Sequence, residues 1–165
     1  MKLSSALAGG LAGTLTAASL HEAFRRISPD APRMDLLDKD LLRKGLKSLG
    51  KKIPEENELQ RWAIGGELVC DTAYYSLAAA GGKKRAWLYG ALLGLAAGVS
   101  AVVLPRPLGL SEEPSNKTLG TKLMTIGLYL AGGLASAAIA TLAENAVSNK
   151  AEQKDGTVEY GELIP

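Results

Sequence analysis

Residues 123–143 read LMTIGLYLAGGLASAAIATLA, a run of 21 residues without a charged side chain. A helix of that length rises about 30 Å, which matches the hydrocarbon thickness of a lipid bilayer. The run has neither the apolar stripe of a surface helix nor the alternation of a membrane barrel strand. It therefore predicts a transmembrane helix, which with its flanks covers about 121–145.

Three earlier blocks have a similar length. The first (about 3–24) begins with 18 uncharged residues, the third (86–104) has 19 and stops at Pro105, and the second (62–82) contains two acids. Charge-dense stretches separate the blocks, although charged residues make up only 22% of the chain. This segregation predicts an all-α integral membrane four-helix bundle. A single membrane domain would cover 1–147, and a polar flexible tail would cover 148–165.

The first block has a second interpretation. Met1-Lys2, an apolar run and small residues around 15–19 also fit a cleaved secretory signal. The run is rich in glycine, however, and its helical character continues through His21 and Phe24. We therefore expect a retained first helix.

Small residues recur at four-residue spacing in three of the blocks. Such stripes let helix backbones approach each other closely in lipid, where burial of apolar surface gives no driving force. The stripes are Gly9 and Gly13 in the first block, Gly90, Gly94 and Gly98 in the third, and Gly132 and Ser136 in the fourth. We expect them to pack within one bundle, with homodimerisation through the third helix as the alternative.

The long loop between the first and second spans contains an amphipathic segment. From 34 to 49 its leucines recur at helical spacing, and cations accumulate towards its end. Such a helix is typical of the membrane interface, where its cations reach the headgroups. The segment 34–52 could therefore bind anionic lipid, or it could simply connect two spans and cover one end of the bundle.

Charge asymmetry suggests an orientation. Ten of the 19 Lys and Arg residues lie in the loop 25–61, and the positive-inside rule places that loop in the cytoplasm. The basic turn 83–85 and both termini would lie on the other side. The architecture is similar to that of many small bacterial inner-membrane proteins, so we expect a multipass protein of the bacterial cytoplasmic membrane.

The acids of the second block form the one candidate site. Glu67 and Asp71 share a helix face, and Tyr74 and Tyr75 follow one turn later. A carboxylate in lipid is costly, so these side chains should face the bundle, a partner or water. With alternating spans, the residues that reach the same level are His21, Glu22 and Arg25 of the first block and Lys122 of the fourth.

Three interpretations of this cluster remain open. Arg25 or Lys122 could neutralise the acids while the tyrosines donate hydrogen bonds to them, which makes the cluster structural. The acids and His21 could instead relay protons or bind a cation for transport. A metal or acid–base enzyme site is the weakest interpretation, because no metal motif or activated nucleophile accompanies the acids.

Other function classes lack their signatures. The chain has no phosphate-binding loop, no nucleophile elbow and a single cysteine, and its net charge of +2 gives no support for nucleic acid binding. No cofactor or metal is expected. We predict a non-enzymatic interaction or scaffold subunit, either a homo-oligomer or bound to a partner membrane protein. The alternative is a small proton- or cation-coupled transporter or channel that uses Glu67 and Asp71.

Overall fold

The computed structural model describes the backbone of residues 1–161 and the side chains of residues 1–151 and 153. Within that range the chain is all helical and contains no strand, which confirms the all-α prediction. The helices are α1 (Leu3–Ile27), α2 (Met34–Ser48), α3 (Glu56–Ser76), α4 (Ala86–Val103), α5 (Glu113–Asn116) and α6 (Leu119–Gly161), and a 3₁₀ turn (Leu77–Gly81) follows α3.

Local sequence explains several of the helix ends. Pro105 and Pro107 follow α4, and proline cannot continue a helix without losing a backbone hydrogen bond. Helix α3 begins two residues after Pro54 and carries acids in its first turn, where the helix dipole favours negative charge. Gly82 adopts a positive φ of 70° and turns the chain from the 3₁₀ segment towards α4.

The chain runs back and forth along one axis. Helix α6 lies at the centre, with α1 and α4 packed against it, and α3 packs on α1. At one end the backbone N–H of Lys2 donates to the Glu144 carboxylate, over 2.7 Å. At the other end the Thr121 hydroxyl donates to the Asp30 carbonyl, over 2.8 Å. The second end, which also holds α2 and α5, is called the loop side below.

Glycines set the close approach of α4 to α6. A Cβ atom built on Gly90 would lie 2.4 Å from the Gly133 carbonyl oxygen, and one on Gly94 would lie 2.6 Å from the Tyr129 carbonyl oxygen. Gly98 faces Ile126 in the same way, at 2.7 Å from its Cα. These contacts are closer than any real Cβ permits, so backbone meets backbone along this stripe.

The first helix uses glycine in the same manner on two neighbours. A Cβ on Gly9 would lie 2.6 Å from the Ser136 carbonyl oxygen, and one on Gly13 would lie 2.7 Å from the carbonyl oxygen of Gly132. Gly10, on another face of α1, lies against Thr72 and Ser76 of α3. The small-residue stripes of the first and fourth blocks therefore face each other inside a single chain, whereas the stripe of the third block packs on another face of α6, around Gly133 and Ile126.

Three helices are long and apolar enough to cross a membrane: Leu3–Ile27, Ala86–Val103 and the first part of α6, Leu119–Ala151. This indicates a membrane protein. The predicted second span, 62–82, is not among them. It forms α3 and the 3₁₀ turn, and the four acids of α3, two of them inside the predicted span, lower its hydropathy below that of the other three helices.

Helix α2 agrees with its predicted boundaries, whereas α3 and α6 extend beyond theirs. Helix α2 ends at Ser48, within one residue of the predicted amphipathic segment, and packs on α3 and α5. Helix α6 continues to Gly161, so the segment assigned to a flexible tail is helical from 148 to that point. Residues 162–165 lie outside the described residues.

Candidate functional site

The acids of α3 turn towards α1 and α2. Glu67 lines a small cavity of about 30 Å³ together with His21 of α1 and with Asp35 and Asp38 of α2. Space of that size can hold one water molecule. One turn further along α3, Asp71 is half-buried, and beside it Thr72 approaches Thr14 of α1, with 3.4 Å between the two hydroxyl oxygens. The acidic face of α3 is thus partly covered by α1 and α2.

Among the acids outside the predicted spans, Asp38 of α2 has the carboxyl pKa that is raised furthest. Helix α2 anchors itself through the buried side chains of Met34 and Leu37, and Asp38 lies on the same side as these residues. Burial, together with repulsion from Glu67 and Asp71, raises the pKa of the Asp38 carboxyl to about 8. A group with that pKa gains or loses its proton close to neutral pH.

Asp35 pairs with Arg33, but basic side chains do not neutralise the other acids of this cluster. Within residues 1–151, no ion pair includes Asp38, Glu67 or Asp71. Arg25, one of the two cations expected to do so, approaches Glu22 at 3.5 Å on the exposed side of α1. Lys122, the other, forms no ion pair with an acid of the described residues. Glu22 and Arg25 therefore lie apart from the cluster, and Asp38 stays unpaired.

The two tyrosines bind backbone rather than acids. The Tyr74 hydroxyl donates to the Leu93 carbonyl of α4 over 2.9 Å, and the Tyr75 hydroxyl donates to the Tyr129 carbonyl of α6 over 3.0 Å. Their rings meet edge to face, with 5.7 Å between centroids. Tyr75 is fully buried. These side chains tie α3 to the central helices, so the hydrogen bonds expected between tyrosines and acids are replaced by bonds between helices.

His21 helps to close the loop side. Its Nε2 atom lies 2.9 Å from the Pro32 carbonyl oxygen, so this nitrogen carries the proton and donates it. The bond fixes the end of α1 to the turn that leads into α2. Within the described part of the chain, no group of three or more His, Cys, Asp or Glu side chains is placed to hold a metal ion. The chemistry available to the cluster is proton exchange or the attraction of a cation.

Sequence reasoning missed Asp35, Asp38 and Tyr129. Asp38 could have been found, because it is four residues after Met34 and three before Leu41, at the spacing of the apolar face of α2. An acid on the apolar face of an amphipathic helix is a signal of burial. No comparable sequence feature indicated a role for Tyr129, because an aromatic residue can occur at any position of an apolar helix.

The cations of α2 are largely engaged by the chain itself. Lys39 and Arg43 both contact the Glu56 carboxylate at the start of α3, and Lys44 donates to the Leu108 carbonyl. Arg33 forms two hydrogen bonds with Asp35, both of 3.0 Å. Whether the segment 34–52 binds anionic lipid stays a prediction, but these contacts restrict which of its cations could do so.

The chain matches no protein-family model, and neither a curated protein nor a solved structure shows significant similarity to it.

Proposed function

We propose that this protein is a non-enzymatic interaction subunit of a bacterial cytoplasmic membrane, with four spans and with α2 in the interface. The loop 25–61 would lie in the cytoplasm because it carries ten of the 19 cations. The observation that carries the proposal is the incomplete cover of α3. Two of its four acids, Glu67 and Asp71, lie in the predicted span, and the other described helices leave one of its sides uncovered.

The uncovered side of α3 is broad and apolar. Trp62 is 55% exposed and Val69 is 67% exposed, and a Cβ atom on Gly65 or Gly66 would meet no atom within 4 Å. Glu67 and Asp71 are themselves only half-buried. Because a partly shielded carboxylate is costly in lipid, a helix of this composition is stabilised when a second membrane helix covers it. We propose that such a helix, from a second copy or from another membrane protein, packs on α3.

The single cysteine offers a direct test. Cys70 is exposed on α3, so oxidative cross-linking in native membranes should join two copies if α3 packs on α3. The matched control is the double variant Cys70→Ser/Val99→Cys. It places the thiol on the exposed side of α4 at a similar depth, since Tyr74 contacts α4 at Leu93. We expect a disulfide dimer with Cys70 and none with Val99→Cys.

A hetero-partner requires a second readout. A photoreactive amino acid at Val69 should yield a discrete protein adduct in the native host, and the same group at Val99 should yield only lipid adducts. If neither the cysteine nor the photoreactive probe on α3 gives a protein adduct above its α4 control, the interaction proposal is wrong.

A second candidate function is proton- or cation-coupled transport. The observation that favours it is that Asp38, Glu67 and Asp71 form no ion pair with a cation of residues 1–151. Protein in liposomes should then carry a proton or cation flux that Glu67→Gln or Asp71→Asn abolishes, while Glu22→Gln, on the exposed face of α1, leaves it intact. An infrared carboxyl band that titrates near neutral pH should disappear in the same variants. Absence of any flux in the wild type would exclude transport.

A further inference from the structure

A second cavity lies on the loop side, away from the acidic face of α3. It has a volume of about 620 Å³ and is bounded by the end of α1, by α2, and by the segment around α5. That volume exceeds the size of a phosphate group and lies within the range of small-ligand sites. A cavity of this size at the end of the apolar helices is large enough to hold a ligand.

Cations outnumber acids in the lining of this cavity. Five basic side chains reach it from four parts of the chain, against three acids. The basic residues are Arg25, Arg33, Lys39, Arg43 and Lys117, and the acids are Asp40, Glu56 and Glu113. The excess of positive charge favours an anionic ligand.

Several donors of these cations have no acceptor among residues 1–151. The Arg25 guanidinium approaches Glu22, with 3.5 Å between Nη1 and Oε2, but donates no side-chain hydrogen bond within that range, and Arg33 uses Nε and Nη2 for Asp35, which leaves Nη1 free. Lys117 forms no ion pair or side-chain hydrogen bond within that range. Guanidinium groups bind phosphate oxygens through paired N–H donors, and an ammonium group adds a point charge.

The cavity lies at the depth of the lipid headgroups if the three apolar helices cross the membrane. Ile27 is 77% exposed at the end of α1, Leu119 is 70% exposed at the start of α6, and Val103 is 58% exposed at the end of α4. These apolar side chains mark the edge of the hydrocarbon layer. Ser28 and Lys117, which line the cavity, lie one or two residues beyond that edge.

We propose that this cavity binds the phosphate headgroup of an anionic glycerophospholipid, with Arg25, Arg33 and Lys117 as the residues that contact the phosphate. The acyl chains of the lipid would lie beside the exposed Ile27. A free phosphate ion shares the headgroup chemistry, but only a lipid also uses this apolar neighbour. The inference rests on the membrane placement proposed above, and it is independent of any partner on α3.

This assignment differs from diffuse attraction by the basic end of α2. Lys47, Lys51 and Lys52 are exposed, but they do not line the cavity. Such lysines attract all anionic lipids alike, and this attraction needs no cavity. A specific headgroup site therefore depends on the cations of the cavity, whereas diffuse attraction depends equally on the lysines outside it.

The test compares two double variants that remove the same charge. Arg25→Gln/Lys117→Gln removes two cations of the cavity, and Lys51→Gln/Lys52→Gln removes two outside it. The full-length protein is purified in a mild non-ionic detergent, and bound lipid is counted by native mass spectrometry during titration with phosphatidylglycerol or phosphatidylcholine. Both pairs of side chains are exposed, so both variants should fold, and circular dichroism verifies this.

We expect one phosphatidylglycerol to bind the wild type at least five-fold more tightly than phosphatidylcholine. Arg25→Gln/Lys117→Gln should lose that preference, and Lys51→Gln/Lys52→Gln should change it by less than two-fold. Equal loss in both variants would overturn the site in favour of diffuse attraction. Competition by millimolar inorganic phosphate would instead show a free-phosphate site, and equal affinity for both lipids would also overturn the proposal. Cross-linking at Cys70 is unaffected by any of these outcomes, so the two proposals can fail separately.

Discussion

Two sides of the molecule, the contact of α4 with α6 and the contacts of α1 with α2 and α3, are built differently. Towards α4, glycines on both helices remove side chains, so that Gly90 lies directly on the backbone of Gly133. Between α1 and its neighbours α2 and α3, polar side chains accompany a single glycine contact at Gly10: Thr14 approaches Thr72, and acids collect around a small cavity. The first side is stabilised by close contact of backbones and the second by hydrogen bonds, at the cost of crowded negative charge.

This difference shows where the molecule should be sensitive. On the glycine side any added atom forces the helices apart, whereas pH should have little effect, because no titratable side chain lies in the glycine contact. Around the acidic cavity, away from Gly10, volume changes should be tolerated more easily, and protonation should control stability. Three substitutions test the contrast.

The largest effect is expected from Asp38→Asn, as a loss of pH dependence. The folded protein holds the Asp38 carboxyl at a pKa of about 8, whereas an exposed aspartate has a pKa of about 4. Unfolding therefore releases a proton between about pH 4 and pH 8, and the stabilisation present below this range is lost as pH rises through it. Since one pKa unit corresponds to about 1.4 kcal/mol, Asp38→Asn should flatten the pH profile by a few kcal/mol.

The measurement is the free energy of unfolding in detergent at pH 4, 6 and 8. Asp40→Asn is the matched control, because Asp40 belongs to the same helix but pairs with Arg43 at 3.2 Å, half exposed. An unchanged pH slope in Asp38→Asn would contradict the burial of this carboxyl. Other titratable groups also face Asp38, and all variants in the comparison must retain them. These groups are His21, Asp35, Glu67, Asp71 and Tyr129.

An intermediate effect is expected from Gly133→Ala. A Cβ atom at this position would lie 2.1 Å from the Gly90 carbonyl oxygen, so α4 must move away from α6. Such overpacking costs about 1–3 kcal/mol. Gly127→Ala, in the same helix but with open space around it, should be neutral or stabilising by up to about 1 kcal/mol, because alanine favours the helix. Thermal unfolding in detergent would compare the two, and equal midpoints would refute the close contact.

The smallest effect is expected where the two sides meet. The buried Ser136 hydroxyl of α6 donates to the Tyr75 carbonyl of α3 over 2.8 Å. Ser136→Ala removes that bond and should cost about 1 kcal/mol. Thr141→Ala removes a bond of 2.7 Å to Ala137 within α6 itself, and we expect a smaller loss. If urea unfolding ranks the two variants in the reverse order, the contact between α6 and α3 contributes less than its geometry indicates.

The sequence predicted the apolar helices well because their signal is local. A run without charge identifies α1, α4 and the first part of α6, and Pro105 marks the end of α4 to within two residues. The second block was harder to assign as a membrane span, because Glu67 and Asp71 reduce its hydropathy. Only the predicted four-helix topology indicates that it crosses the membrane. Helix α2 was visible from its leucine spacing, but the burial of Asp38 depends on which face meets α3.

The candidate site was predicted only in part. Spacing alone placed Glu67 and Asp71 on one face, and topology brought His21 to the same end of the bundle. The expected pairing of Arg25 with the acids of α3 is absent from the described residues for a physical reason. Arg25 lies on the exposed side of α1, where Glu22 is three residues away and already within reach. Long side chains pair with the nearest opposite charge, so their partners cannot be assigned without knowing how each helix is rotated.

By itself the sequence determined the helical class, the apolar helices and the spacing of glycines along them, because these properties follow from local composition and period. Only the tertiary structure decided which glycines face which backbone, which tyrosine binds which carbonyl, and that Asp38 joins the acids of α3. Those contacts depend on the rotation and order of the helices. Rotation and order are set by the packing of the entire chain, where each helix must satisfy several neighbours at once.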